Sequence, residues 1–236
     1  MASRCYLMSI EEFWEALEGK ELFAAALGKV DAVRRGRAER MRSGRAQAAC
    51  VGAGLLLQLA LQEALAGNGK GTEDPEPVVH SVSRALGLVE RPVELVMDYG
   101  ENGKPYLREY PLFFNLSHSG KYVACAVSDS EIGADIQKCT DANATRIAER
   151  FFSEEENRAL RTCNTEEERR RLFFRLWVRK EAYGKLLGKG IVGISSWNLL
   201  PDEEAGTGKQ DLLWREWNLP EGYMLAVCQW TRKGLI

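Results

Sequence analysis

A strong charge is missing from this 236-residue chain: 32 lysines and arginines stand against 34 aspartates and glutamates, a formal net charge of −2. That excludes a whole-protein basic field for nucleic acid or anionic lipid. Paired cysteines are missing too. The six cysteines, at 5, 50, 125, 139, 163 and 228, form no Cys-x-x-Cys and have no histidine at zinc-finger spacing, which argues against a metal-thiolate site. Cys50, Cys125 and Cys228 lie inside apolar runs, where a free thiol behaves as a small hydrophobe. The N-terminus lacks a basic region followed by an apolar stretch and a small-residue cleavage site, so no signal peptide is read and the cytoplasm is expected. The apolar run Leu55 to Leu65 is interrupted by Gln58, Gln62 and Glu63 and falls short of a membrane span.

With 45% hydrophobic residues, the chain can build one sizeable core or two small ones. Glu11 to Leu17 reads as a short helix capped by Ser9, and a second helix runs from Arg34 to Ala66 with a break near Ser43-Gly44. Leu55, Leu59 and Leu61 to Leu65 give that helix a buried face. Gly67 to Pro77 is a loop by composition. Val93 to Met97 reads as a strand, and Asn102-Gly103 as a hairpin turn. Strands are expected over Tyr122 to Val127 and Glu131 to Gln137. Ser153 with Glu156 has the spacing of a capping box, and a long helix covers Arg169 to Leu187, ended by Gly188 to Gly193. The remainder reads as strands at Ile194 to Leu200, Asp211 to Trp217 and Tyr223 to Trp230. One segment echoes another: Gly120 to Val127 and Gly222 to Cys228 are each a glycine turn leading into a small-residue apolar strand.

Chemistry concentrates in a few places. Asp135 ends an apolar strand, where a carboxylate at the sheet rim can hold a hard cation or simply form a turn. Trp177, Glu181 and Lys185 are spaced i, i+4, i+8 and share one stripe of the long helix. The bland reading of Glu181 and Lys185 is a surface ion pair. With Asp135, Glu181 can instead hold Mg²⁺, which favours one or two carboxylates plus phosphate and water oxygens, while Lys185 neutralises a phosphate in transit. Ser117-His118-Ser119-Gly120 lacks the Gly-x-Ser-x-Gly context of a nucleophile elbow, and phosphate binding suits it better. Lys104, beside the hairpin turn, is a second phosphate ligand or an exposed turn lysine. Six arginines, Arg34, Arg35, Arg37, Arg40, Arg42 and Arg45, form either a solvated helix face or an anion site.

Five segments in order, Gly103-Lys-Pro-Tyr106, Phe114-Asn-Leu-Ser-His-Ser119, Ile132-Gly-Ala-Asp-Ile136, Arg150-Phe-Phe152 and Trp177-Val-Arg-Lys-Glu-Ala-Tyr-Gly-Lys185, resemble the 4′-phosphopantetheinyl transferases of the larger, surfactin-synthetase-activating type. The resemblance covers Gly103 to about Gly190. It implies an α/β (α+β) fold: a pseudo-dimer of two similar subdomains, here 1–128 (coenzyme A side) and 129–236 (metal side). Each would be a small, mostly antiparallel sheet packed on a long helix, with the active site at the seam.

The implied reaction is Mg²⁺-dependent transfer of 4′-phosphopantetheine from coenzyme A to a serine of an apo acyl or peptidyl carrier protein, releasing 3′,5′-adenosine bisphosphate. Mn²⁺ is a possible substitute, and a monomer without nucleic-acid or membrane partners is expected. By the same resemblance Asp135 and Glu181 are the metal ligands and Lys185 contacts the phosphate of the breaking bond. Lys104, Ser117 and His118 hold coenzyme A. Gln137 stands where this type often has a third acidic ligand, Ala134 replaces a larger aliphatic residue, and the segment from Arg45 to Cys50 is poor in bases for the coenzyme's 3′-phosphate, leaving Arg42 or Arg45. A catalytically weak coenzyme A or carrier-protein binding module is the alternative, and a magnesium-dependent hydrolase a third reading.

Overall fold

The computed structural model describes residues 3–66, 76–140, 144–201 and 212–230. In chain order its elements are β1 (Arg4–Ser9), α1 (Glu12–Glu15), α2 (Gly19–Lys29), α3 (Ala32–Glu39), α4 (Gly44–Leu65), β2 (Val78–Ser81), α5 (Val82–Leu88), β3 (Met97–Tyr99), β4 (Pro105–Leu107), β5 (Phe113–Ser119) and β6 (Tyr122–Ser128). These are followed by β7 (Ile132–Lys138), α6 (Ala144–Phe151), α7 (Glu154–Thr162), α8 (Glu166–Leu186), β8 (Leu212–Leu219) and β9 (Tyr223–Trp230). The architecture is mixed α/β with small sheets. The chain divides into two compact units, Met1–Asp98 with Pro105–Asp129, and Tyr99–Lys104 with Ser130–Ile236.

In the first unit a four-stranded sheet has the order β2-β1-β6-β5, parallel between β1 and β2 and antiparallel elsewhere. α4 lies against β6, β1 and β5 on one side and against α2, α3 and α5 on the others. Being covered all round, it is apolar all round, with every residue from Ala48 to Leu61 buried. It is long and apolar enough to cross a membrane, but 78% of its apolar stretch is packed inside the protein, as a core helix requires. The expected break before it falls at Ser43, whose hydroxyl accepts from the Ala46 N–H at 3.4 Å. Asp31 caps α3 by accepting from the Arg34 N–H at 2.9 Å.

Some expectations need correction here. Glu11, not Ser9, is the N-cap of α1, because Ser9 is already the last residue of β1. The strand expected over Val93 to Met97 begins only at Met97. Val93 instead exchanges both backbone hydrogen bonds with one side chain of α4: its N–H donates to Gln58 Oε1 at 2.7 Å and its carbonyl accepts from Gln58 Nε2 at 3.0 Å. The side-chain amide thus stands in for a neighbouring strand. The Asn102-Gly103 turn is present, with Gly103 at φ +77° and the Gly100 N–H donating to the Lys104 carbonyl at 2.9 Å. Of the loop read over Gly67 to Pro77, residues 67–75 lie outside the described residues.

In the second unit an antiparallel sheet of order β7-β9-β8 packs against α8. The capping box at Ser153 and Glu156 starts α7, and a second one, Thr165 with Glu168, starts α8 three residues earlier than its apolar stripe indicates. Ile194 to Leu200 is not a strand: a 3₁₀ turn at Val192–Ile194 leads into irregular chain. Buried side chains satisfy its backbone, since Lys180 Nζ donates to the Ser195 and Trp197 carbonyls at 2.9 and 2.7 Å, and the Leu199 N–H donates to Glu156 Oε1 at 2.8 Å. The two echoing segments are the inner strand β6 of the first sheet and the central strand β9 of the second, preceded by Gly120 and Gly222.

Candidate metal and transfer site

Gly133, Asp135 and Gln137 alternate along β7 and therefore share one face of the strand. A Cβ at Gly133 would stand 2.0 Å from the Ala182 carbonyl oxygen and 2.6 Å from the Leu186 nitrogen, so only glycine lets β7 come this close to the backbone of α8. Two residues on, Asp135 is thereby buried against the helix, opposite Ala226 of β9. Lys185 reaches down from α8: its ammonium meets Asp135 Oδ1 at 2.6 Å and donates to the Ala134 carbonyl at 3.1 Å. The lysine is thus engaged with the strand carboxylate as well as sharing a helix stripe with Glu181.

Glu181 lies one turn before Lys185, half-buried. With Asp135 and Gln137 it lines a cavity of about 230 Å³, completed by Thr140, Ile147, Phe173, Phe174 and Trp177. Burial first, and then the neighbouring Asp135 charge, push the Glu181 carboxyl above its ordinary range, with Lys185 opposing. Two carboxylates in one cavity repel, and a hard cation between them would relieve that repulsion. Their donor set, with the Gln137 amide oxygen, is all oxygen and fits Mg²⁺, which takes one or two carboxylates and keeps its other positions for water and phosphate. Among the described residues no group of three or more His, Cys, Asp or Glu is arranged to hold a metal. The aromatic wall is ordered by its own packing: Phe173 stacks on Phe152 at 5.4 Å and on Trp177 at 6.1 Å, and Phe151 meets Trp177 edge-on.

Lys104 belongs to the same unit. Its ammonium is held by the Glu131 carboxylate and donates at 2.9 Å to the Leu186 carbonyl, at the negative end of α8. Ser117, His118, Arg42 and Arg45 belong to the first unit. Ser117 and His118 are successive on β5 and point to opposite faces, Ser117 buried and His118 exposed, which rules out a nucleophile–base pair between them. Arg42 is exposed, and the Arg45 guanidinium lies 5.2 Å from the Trp14 ring centroid. Within the arginine cluster, Arg34 binds Asp31 and the Cys50 carbonyl, and Arg35 binds the carbonyls of Leu27, Gly28 and Val30. Arg37, Arg40, Arg42 and Arg45 remain exposed.

Two features escaped the sequence reading. One is the close approach at Gly133, whose signal was a glycine inside a strand two residues before the key carboxylate. The other is a fully buried ion pair behind Glu181, Lys180 Nζ to Glu156 Oε2 at 2.9 Å. Glu156 was legible only as a helix cap, and Lys180 only as a neighbour of Glu181.

A strand carboxylate and a helix carboxylate thus line one cavity, and a lysine one turn further along the helix rests on the first of them. Residues 131–228, all within the second unit, match the model of the 4′-phosphopantetheinyl transferase superfamily. The chain is 40% identical over 153 residues to the 4′-phosphopantetheinyl transferase psf-1 of Bacillus pumilus, covering 59% of this chain and 62% of that protein. It is 34% identical over 156 residues to a 4′-phosphopantetheinyl transferase of Bacillus subtilis, covering 63% and 68%. To the Bacillus subtilis 4′-phosphopantetheinyl transferase Sfp it is 33% identical over 141 residues, covering 54% and 60%. The chain belongs to the 4′-phosphopantetheinyl transferase superfamily, and these relatives are transferase enzymes. It spans 62%, 68% and 60% of their respective lengths.

Proposed function

We propose that this protein transfers the 4′-phosphopantetheine arm of coenzyme A to a serine hydroxyl of an apo acyl or peptidyl carrier protein, depends on Mg²⁺ and releases 3′,5′-adenosine bisphosphate. The observation that carries this reading is the convergence of Asp135 and Glu181 on one cavity, with the Lys185 ammonium on Asp135. In the reaction the serine oxygen forms a bond to the β-phosphorus as the bond from that phosphorus to the bridging pyrophosphate oxygen breaks.

Asp135 and Glu181 would hold the cation, and Gln137 would add an amide oxygen or orient a water. Magnesium or manganese, when bound, supplies charge neutralisation at the pyrophosphate oxygens. Lys185 sits where its ammonium can exchange Asp135 for a phosphate oxygen and offset the charge gathering on the leaving group. Glu181 is also assigned the serine proton, directly or through a water beside the cation. Lys104, Ser117, His118, Arg42 and Arg45 are assigned to the nucleotide and phosphates of coenzyme A. The two units are taken as related halves, a reading supported by the matched glycine-led inner strands and the long helix of each. The protein is expected to act as a cytoplasmic monomer.

The test is incubation with coenzyme A, Mg²⁺ and an apo carrier, with mass spectrometry of the carrier for the added arm. Asp135→Ala and Glu181→Ala should each reduce transfer by about 10³-fold or more, the several kcal/mol of charge stabilisation a metal provides. Transfer that survives both substitutions refutes the metal assignment. Coenzyme binding without transfer at any Mg²⁺ or Mn²⁺ concentration would instead identify a binding module, and nucleotide release without a carrier a hydrolase.

A further inference from the structure

We infer that Lys180 and Glu156 are positioning residues that set the rotation of α8 about its own axis and so fix where Glu181 faces; this rests on the metal reading above. Successive residues on a helix point about 100° apart, so a side chain locked at 180 determines the direction taken at 181. Lys180 is locked thoroughly. Both partners are 0% exposed, and the Lys180 ammonium makes three bonds, to Glu156 Oε2 at 2.9 Å and to the carbonyls of Ser195 and Trp197 at 2.9 and 2.7 Å. Glu156 is held in turn, accepting from the Ser153 N–H at 2.7 Å and the Leu199 N–H at 2.8 Å. The pair therefore clamps three pieces of chain together: the start of α7, the middle of α8 and the segment 195–199.

A buried ion pair is poor evidence for stability, because apolar residues of similar volume often serve as well. Its directional bonds do what apolar packing cannot, since hydrophobic contact has no preferred direction. Lys180 Nζ also lies 5.6 Å from the centroid of the Phe152 ring, and Phe152 stacks on Phe173, which lines the Asp135–Glu181 cavity. Rotation of α8 would disturb both the ligand and the wall of the site.

The experiment uses the full chain with three variants, Lys180→Met, Glu156→Gln and the two combined. It reads thermal unfolding, Mn²⁺ affinity by calorimetry, and kcat and KM for coenzyme A. Lys180→Met alone should lower the melting temperature most, because it strands a buried carboxylate. The double variant should recover most of that loss and yet bind Mn²⁺ about tenfold more weakly, as expected when Glu181 faces the cavity in only about a tenth of the molecules. Its kcat should fall with KM for coenzyme A nearly unchanged. Glu156→Gln, isosteric and neutral, should stay folded and weaken Mn²⁺ binding in the same direction.

A double variant, or Glu156→Gln, that is folded and binds Mn²⁺ like the parent overturns the inference. So does unfolding of both at room temperature, which would make the pair a requirement of folding and not a positioning device. A parent protein that neither binds Mn²⁺ nor transfers the arm overturns the functional reading itself, a result visible before any variant is made.

Discussion

The two units are built from similar parts that carry different side chains. Each packs one long helix on a small sheet whose inner strand follows a glycine turn. In the first, α4 is apolar on every side and carries no charge between Ala46 and Gln62. In the second, α8 buries Phe173, Leu176 and Ala182 but also carries Lys180, Glu181 and Lys185 at or near the core. Glycine marks the helix–sheet contact in both. Gly52 is on the helix, and its added Cβ would meet side-chain atoms of Ile10 at 2.4 Å. Gly133 is on the strand, and its Cβ would meet the helix backbone at 2.0 Å. The contact in the first unit is against a side chain, which can give a little, whereas that in the second is against backbone and places a carboxylate.

That contrast can be broken at graded cost. Gly133→Ala should destabilise by about 3 kcal/mol or more, the upper end for overpacking, and should abolish Mn²⁺ binding by displacing Asp135. Urea unfolding and Mn²⁺ titration read the two effects. Leu57→Ala, at a fully buried position of α4, should cost about 3 kcal/mol through its cavity while the folded protein keeps the parental Mn²⁺ affinity. Gly52→Ala should cost about 1 kcal/mol in the same unfolding assay, because the helix preference of alanine offsets part of the crowding. Equal losses for Gly52→Ala and Gly133→Ala would erase the distinction between the units.

The smallest expected effect is a pH dependence. Glu181 holds its proton more tightly folded than unfolded, so its contribution to stability falls as pH rises from the ordinary glutamate range through its raised value. A cation bound to the ionised carboxylate reverses that fall. Mg²⁺ at a concentration equal to its dissociation constant should stabilise by about 0.4 kcal/mol at neutral pH. It should have no effect at pH values where Glu181 is protonated. Thermal melts with and without Mg²⁺ across that range would show it.

Much of this was legible because it is local. The capping box at Ser153, the turn at Asn102-Gly103 and the stripe Trp177, Glu181, Lys185 are read from spacings of a few residues, and each occurs in the structure. What was not legible is long-range substitution of one kind of bond for another. Val93 resembles a strand residue and is paired by Gln58, 35 residues away, while Ile194 to Leu200 resembles a strand and is paired by Lys180 and Glu156. Apolar alternation predicts exposure to a partner strand and says nothing of a buried amide or ammonium that takes its place. Asp135, Gln137 and Glu181, grouped from the sequence as metal ligands, line one cavity, but no spacing indicated that Lys185 rests on Asp135.

The hairpin turn at 99–104 has a practical consequence. These six residues precede most of the second unit in the sequence and yet belong to it, so the polypeptide enters that unit, leaves it and returns. A split-protein design cut at 129/130 would strand Lys104 on the wrong fragment and take from α8 the ammonium that caps its Leu186 carbonyl. Fragment complementation would need the hairpin grafted ahead of Ser130, or a cut elsewhere. The division visible in three dimensions does not coincide with any single place to sever the gene.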